Sequence, residues 1–561
     1  MIMENLRTYP ENIMPRVLIV DNDVDTRDSH FELLKLWNYI PFKADGSGES
    51  LRKNALYLAR EKRCQIALVD LRMEDDNDVD DKSGLELIRE LDPAKCIVVT
   101  GYGNDQIVAD ILEESGAVAY VGKQYGPEIL KQKIQRESQR ICSAYHKVRI
   151  APQAVLDYIA NYFASEIPEE YIDQIGDILT RLFPRARELR IEKLGEKQRA
   201  SSTDVTLRPR SVILKVYEDN RQPVIVKLAR THKIKIESDK FENLINGHIV
   251  AHRHPRLEKS EVLWDIGGAL YSSLGLKDFR TFPSFYIESG IDKVTRSLEQ
   301  FFAETWSSLY KETRRDVNTS LIDLYFKIWG NEWYSKRVYE FGEIGKDDPW
   351  IGTHLNEFGG IDPLLWLQHK IESDNETILT RKQDIRVCVT HGDLHSGNLL
   401  VDQDDVAWVI DFERSGEGHI LQDFVELETD LVIRLASHVQ DVAEFYKLCL
   451  VIIRPDEIRK FRPSEISSSQ NPEYLKVLHT ISHLRSLAKK STGVTDARQY
   501  LIGMLFNAIF RATLTSRDFR NTAQARALML ASIICHRLDH WEMPWPPDKW
   551  KRHILKSGET K

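Results

Sequence analysis

The chain has 561 residues, 42% of them hydrophobic and 29% charged, which excludes wholesale disorder and exceeds what one hydrophobic core serves. Its formal net charge of -9 argues against chain-wide affinity for nucleic acid, so no such partner is expected. Six scattered cysteines without a C-x-x-C pair, no apolar stretch in Met1–Arg16, and apolar runs no longer than that around Leu448–Ile453 predict a cytoplasmic protein without membrane insertion.

From Val17 onward, short apolar runs alternate with amphipathic stretches. Strands are expected at Val17–Val20, Ile66–Val69, Ile97–Thr100 and Ala117–Val121, and helices at Ser29–Trp37, Gly84–Glu90 and Asp105–Glu114. This alternation predicts a doubly wound α/β domain over residues 14–147, whose ligands gather beyond the carboxyl ends of the strands. Asp21-Asn22-Asp23, Asp70, Thr100 and Lys123 fall at those ends. A carboxylate to accept phosphoryl, acids to hold Mg2+, a hydroxyl to sense the new oxygen and a lysine to neutralise it form a coherent set.

The set resembles the receiver domain of two-component response regulators, with its flavodoxin-like fold. The resemblance implies Asp70 as phospho-acceptor, Asp21 and Asp23 as metal-side acids, Thr100 as the switch hydroxyl and Lys123 as the salt-bridging lysine. A sensor histidine kinase or phosphotransfer protein would be the donor. Three departures stand out: Asn22 replaces the second acid of the family's pair, the loop Glu74–Asp81 is long and acidic, and Gln124 stands where a proline is common. The neutral Asn22 is a weaker Mg2+ ligand than a carboxylate, so an orphan receiver that is never phosphorylated is an alternative.

Residues 148–188 are expected to form a helical linker, with helices at Gln153–Phe163 and Glu169–Leu182 punctuated by Pro168 and Pro184. Antiparallel strands are then expected at Ile191–Leu194, Val205–Leu207, Ser211–Tyr217 and Pro223–Leu228. Lys227 interrupts the last of them, where a kinase needs a lysine for the α- and β-phosphates of ATP. A helix over Ile236–His252 offers Glu237, placed in its first turn, or Glu242 as partner for that lysine. The loop that would cover the phosphates holds only Gly195, with Ser201 and Ser202 as candidate phosphate-capping residues. Gly267–Leu274 is expected to supply a last strand and the adenine-contacting hinge.

The sharpest signal is His391-Gly392-Asp393-Leu394-His395-Ser396-Gly397-Asn398, followed by Ala407–Ile410 and Asp411-Phe412. Asp393 is the candidate catalytic residue, orienting an acceptor hydroxyl and taking its proton, while Asn398 and Asp411 hold Mg2+ against ATP. A metal cluster of His391, Asp393 and His395 is the weaker reading, because it leaves Asn398 and the strand before Asp411 unexplained.

These motifs, with Glu413, Gly418 and Asp423, resemble the aminoglycoside phosphotransferase and choline kinase-like group. The resemblance implies a two-lobed protein-kinase-like fold, with an N-lobe over 189–280 and a helical C-lobe over 281–561, and Asp423 bracing the loop. The aromatic residues between Phe301 and Trp350 are expected mostly in the core. Acids at Asp404, Asp405, Glu413, Glu417 and Glu426 suit a cationic acceptor, although the acceptor itself stays open. Two function classes result: a receiver-regulated phosphotransferase, and a non-catalytic nucleotide-binding scaffold that uses its receiver to exchange partners.

Overall fold

The computed structural model describes residues 8–547 except 10–14, 75–80, 82, 102–114, 144–147, 164–167, 195–210, 220, 250–254, 273–278, 330–359, 436–441, 467–470 and 514–522. Two compact units emerge: the first gathers 1–193, 210–235 and 259–270, and the second gathers 194–209, 236–258 and 271–561. The chain therefore passes between the units more than once.

The first unit opens with strand β1 (Thr8–Tyr9) and then alternates β2 (Arg16–Val20), α1 (Val24–Leu36), β3 (Ile40–Lys43), α2 (Gly48–Glu61), β4 (Ile66–Val69), α3 (Ser83–Glu90), β5 (Lys95–Thr100), β6 (Ala119–Gly122) and α4 (Pro127–Ser143). Strands β2 to β6 form a five-stranded sheet in the order β3-β2-β4-β5-β6, with every neighbouring pair parallel. Its central strands are apolar on both faces, as a sheet covered by helices on both sides requires. Residues such as Leu18, Val69 and Val98 fill one face, and Val17, Leu68 and Ile97 fill the other. β3, α2 and α4 are absent from the sequence expectation. β3 is only half-buried, which blurs its pattern, and α2 has too many polar residues to stand out as an apolar run. The expected helix over Asp105–Glu114 lies outside the described residues.

A second, seven-stranded sheet follows, in the order β1-β7-β8-β9-β10-β12-β11. Its further members are β7 (Val148–Ala151), β8 (Glu188–Lys193), β9 (Ser211–Glu218), β10 (Val224–Arg230), β11 (Leu257–Val262) and β12 (Ile266–Tyr271). Helices α5 (Gln153–Phe163) and α6 (Pro168–Leu182) lie between β7 and β8, and β7 pairs with β8 in parallel. Residues 148–188 are thus more than the helical linker the sequence suggests. Ile159, Ile175, Ile178 and Leu179 share one core with Leu189, Leu214, Val226 and Leu228 of the sheet. Proline and polar punctuation marks the ends of these helices but says nothing of their buried faces. The strand expected at Val205–Leu207 lies outside the described residues.

Helix α7 runs over Thr231–Lys240 and continues as a π-turn over Phe241–Ile245, starting five residues earlier than Ile236. In the second unit, β13 (Phe279–Thr281), β16 (Leu399–Asp402) and β17 (Ala407–Val409) make one small antiparallel sheet. β14 (Arg314–Asp316), β15 (Ile385–Thr390) and β18 (Gly416–His419) make another. Helices α8 (Gln422–Asp430), α9 (Pro472–Thr492), α10 (Ala497–Ala512) and α11 (Ala523–Asp539) supply most of the remaining framework. Phe301, Phe302, Trp306, Tyr310 and Tyr325 are core residues, as expected for most of that aromatic run. No helix among the described residues is long and apolar enough to cross a membrane.

Candidate functional site

Two clusters of chemistry-bearing side chains form, one in each unit. In the first, the register Val20↔Val69↔Val98 and Thr100↔Gly122 brings the carboxyl ends of β2, β4, β5 and β6 into line. Asp21 and Asp70 are buried there, and the Lys123 ammonium bridges them at 2.8 and 2.5 Å. Burial, followed by the neighbouring Asp70 charge, pushes the Asp21 carboxyl up to about 6 against the pull of Lys123. Burial works against the Lys123 charge, but the two carboxylates more than offset it and raise its pKa. Arg27 pins the loop by donating to the carbonyls of Asp21 and Gly46 at 2.6 and 3.2 Å. Thr100 is buried at the end of β5, and its carbonyl accepts from the Lys123 amide at 2.8 Å.

Asp23 differs from its expected metal-side role. It is exposed and caps α1, accepting from the amides of Asp25 and Thr26 at 3.3 and 3.2 Å. An aspartate directly before a helix is preferred for that work, so the sequence carried two competing signals at one position. The carboxamide oxygen of Asn22 and one Asp70 carboxylate oxygen are instead buried without a hydrogen bond from the described residues. Two such oxygens are hard ligands suited to Mg2+, so Asp21, Asn22 and Asp70 fit a divalent cation. No group of three or more His, Cys, Asp or Glu side chains suited to a metal occurs among the described residues. The carboxamide of Asn22 falls outside that set of ligand types.

The second cluster surrounds the loop between β15 and β16. Three carboxylates of α8, at spacings of three and four residues, face that loop and collect its backbone amides. Asp423 accepts from the amides of His391 and Gly392 at 3.1 and 3.2 Å, and from the Tyr310 hydroxyl at 3.1 Å. Glu426 accepts from Leu394 at 2.7 Å, and Asp430 from Ser396 at 2.8 Å. All three carboxylates are buried. Burial, then the charges of Asp393 and Asp423, drive the Glu426 carboxyl up to about 8. Gly392 has φ of +76°, and a Cβ there would lie 2.3 Å from the Arg414 carbonyl oxygen, so only glycine fits.

Asn398 donates to the Asp393 carbonyl at 2.8 Å, closing the loop upon itself. The Asp393 side chain keeps 35% of its surface accessible, with the Arg414 guanidinium 3.8 Å away. Burial would raise its pKa, but Arg414 and His395 more than offset this and hold the carboxyl below its ordinary value. Asp411 follows β17 with φ of +75°, a left-handed backbone that aspartate tolerates better than most residues. Glu237 is buried and accepts from the Phe412 amide at 3.3 Å and from the Tyr271 hydroxyl. It lies in the second turn of α7 rather than the first, because the helix begins at Thr231. Glu242, its alternative, is exposed and accepts from the Asn246 side chain at 2.7 Å. Lys227 is buried on β10, opposite Ile213 of β9. Ser201 and Ser202 lie outside the described residues.

The acids suggested for a cationic acceptor are largely committed elsewhere. Glu426 holds the loop, Asp405 pairs with Lys293 at 3.0 Å, and Glu417 pairs with Arg314 at 2.9 Å. Sequence reasoning did not place Arg414, Arg434, Arg511 or Asp430 at this cluster. The acidic residues of α8 were visible at helical spacing, but the arginines reach the loop from separate elements.

Residues 17–135 match the family described as Response regulator receiver domain. This segment is a receiver domain. Its five parallel strands in flavodoxin-like order agree with that assignment. Residues 353–511, which include the whole loop from His391 to Asn398 together with Asp411 and α8, match Ternary complex associated domain 9. No curated protein matches the chain. Among solved structures, the signal receiver domain of a putative Luxo repressor protein from Vibrio parahaemolyticus is 20% identical, covering 23% of this chain and 92% of its own, with a TM-score of 0.20. A two-component response regulator from Clostridium difficile is 20% identical over 23% of this chain and 98% of its own, also with a TM-score of 0.20. A response regulator from Thermotoga maritima is 19% identical over 22% of this chain and 98% of its own, with a TM-score of 0.19.

Proposed function

We propose that the receiver domain accepts phosphoryl on Asp70 from a histidine kinase or phosphotransfer protein and thereby regulates an ATP-dependent phosphotransferase carried by the rest of the chain. The observation that carries the enzyme reading is the loop from His391 to Asn398, whose amides are held by three buried carboxylates while Asp393 alone keeps an accessible one. Preorganisation of this kind is what phosphoryl transfer asks of a protein, since positioning and electrostatics supply most of the catalysis.

In this reading the fold is kinase-like with two lobes, Asp393 orients the acceptor hydroxyl, and the hydroxyl oxygen attacks the γ-phosphorus of ATP. The bond from that phosphorus to the bridging oxygen breaks, ADP leaves, and the acceptor proton passes to an Asp393 carboxylate oxygen. The depressed pKa of Asp393 keeps it ionised at neutral pH, so it takes the proton late, as the hydroxyl becomes acidic. Asn398 and Asp411 are the residues that would hold Mg2+, which would neutralise the phosphate charge. Lys227 and Glu237 serve the α- and β-phosphates, and Ser201 and Ser202 cap them. In the receiver domain, Asp21, Asn22 and Asp70 would hold Mg2+, with Thr100 and Lys123 contacting the phosphoryl group. A cytoplasmic location suits a protein that draws on ATP and a phosphorelay donor.

The test is ATP turnover by full-length protein against its Asp393→Asn variant. The expected loss is at least about a hundredfold, the usual range for a lost general base. A wild-type protein that binds Mg·ATP yet turns it over no faster than the variant sinks the enzyme reading. The scaffold reading would then stand, and the single glycine between Leu194 and Val205 favours it. Acid-labile phosphate on Asp70 after treatment with acetyl phosphate and Mg2+ tests the receiver half separately.

A further inference from the structure

Beside the loop, Asp430 receives two guanidinium groups: Arg511 at 2.8 Å and Arg434 at 3.4 Å. Asp430 alone does not neutralise both arginines. The Arg511 residue is 91% buried by its 9% exposure, and its Nε has no hydrogen-bond partner among the described residues. Ser396, fully buried in the adjoining loop, likewise has an Oγ without a partner. A buried donor left unmade is costly, and a group that supplies acceptors would satisfy both atoms.

Its position is set by the loop itself. Asp430 accepts from the Ser396 amide at 2.8 Å, three residues after Asp393, and Asn398 closes the same loop by donating to the Asp393 carbonyl at 2.8 Å. The arginines are therefore held, through Asp430, against the loop that carries Asp393. Asp411 and Glu413 add negative charge near Arg414.

We propose that the acceptor carries an oxyanion, a carboxylate or a phosphate, which Arg434 and Arg511 bind while its hydroxyl lies against Asp393. This inference rests on the phosphotransferase reading of the loop and reverses the cationic acceptor that the acidic sequence suggested. Two guanidiniums sharing one buried carboxylate present the remaining N–H donors in a fixed fork, the geometry that carboxylate and phosphate groups match.

The experiment titrates full-length protein, without ATP, with inorganic phosphate, acetate and choline, and reads binding by calorimetry. At least one oxyanion binds at millimolar concentration and choline does not; which anion binds tighter tells a phosphate site from a carboxylate site. Arg511→Gln and Arg434→Gln each weaken that binding by about tenfold, whereas Arg221→Gln on an exposed turn leaves it unchanged. Arg434→Lys, which keeps the charge and loses the fork, retains part of the affinity and guards against a folding artefact. Absence of oxyanion binding in the wild type, wild-type affinity in both glutamine variants, or tighter binding of choline overturns the inference. Turnover that survives Asp393→Asn would instead sink the phosphotransferase reading and leave the anion result standing.

Discussion

Gly392 and Asp423 show how single residues fix the loop. Replacing Asp423 with alanine would leave the amides of His391 and Gly392 and the Tyr310 hydroxyl without their acceptor. We expect Asp423→Ala to cost about 3–5 kcal/mol in chemical denaturation, from several buried unsatisfied donors. Asp393→Asn, on a half-exposed side chain, should change stability by less than about 1 kcal/mol. Equal stability of the two variants would remove Asp423 from its bracing role. At the other cluster, Asn22→Asp adds a carboxylate where a buried oxygen lacks a partner. It should tighten Mg2+ binding by about tenfold, from the added anionic ligand; an unchanged Mg2+ titration of Asp70 labelling would place the cation elsewhere. Asp70, Asp21, Lys123, Asp393 and Asn398 were legible because short motifs and strand ends encode them. The Asp23 cap and the Asn22 oxygen were not, because adjacent polar residues on one turn differ only in the direction each side chain takes.

At the scale of elements, α8 acts as a ladder whose carboxylates hold successive amides of the loop. Glu426 is its most pH-sensitive rung. Its carboxyl lies at about 8 in the folded chain against 4.5 in the ordinary case, so between those values the folded state holds a proton that the unfolded state has released. Stability therefore falls as pH rises from about 4.5 to 8, and the contribution is fully present only below that window. We expect Glu426→Gln, which keeps an accepting oxygen but cannot ionise, to flatten this slope by about 2–4 kcal/mol across the window. An identical pH profile in variant and wild type would show that Glu426 does not govern it. The sequence made α8 visible as part of a helical region and Asp423 visible through the resemblance. The paired function of Glu426 and Asp430 was hidden, because their partners are backbone amides that carry no sequence signature. The same limit applies to residues 148–188, where helix periodicity was legible but the strand β7 and the shared core were settled only by packing.

At the scale of the whole molecule, the receiver domain and the seven-stranded sheet belong to one compact unit. Trp264, in the turn between β11 and β12, packs on the receiver core and donates its indole N–H to the Cys64 carbonyl at 3.0 Å. Arg63 approaches Asp265 at 3.6 Å, and Lys235 of α7 pairs with Asp92. The Asp265 carbonyl also accepts from the Thr231 amide at 3.2 Å, at the start of α7. The turn that touches the receiver domain therefore also anchors the start of α7 within the same unit, so under the proposed regulation it is where a change in the receiver domain would meet that helix. Trp264→Ala removes an aromatic contact and one hydrogen bond, which should cost the first unit about 2 kcal/mol. Its effect on control is the sharper outcome. Under the proposed regulation, the ratio of ATP turnover with and without acetyl phosphate should fall toward one, while turnover without the phosphodonor stays near the wild-type rate. A variant that is less stable yet keeps the wild-type ratio would show that the tryptophan only holds the unit together and that the signal leaves the receiver domain by another face.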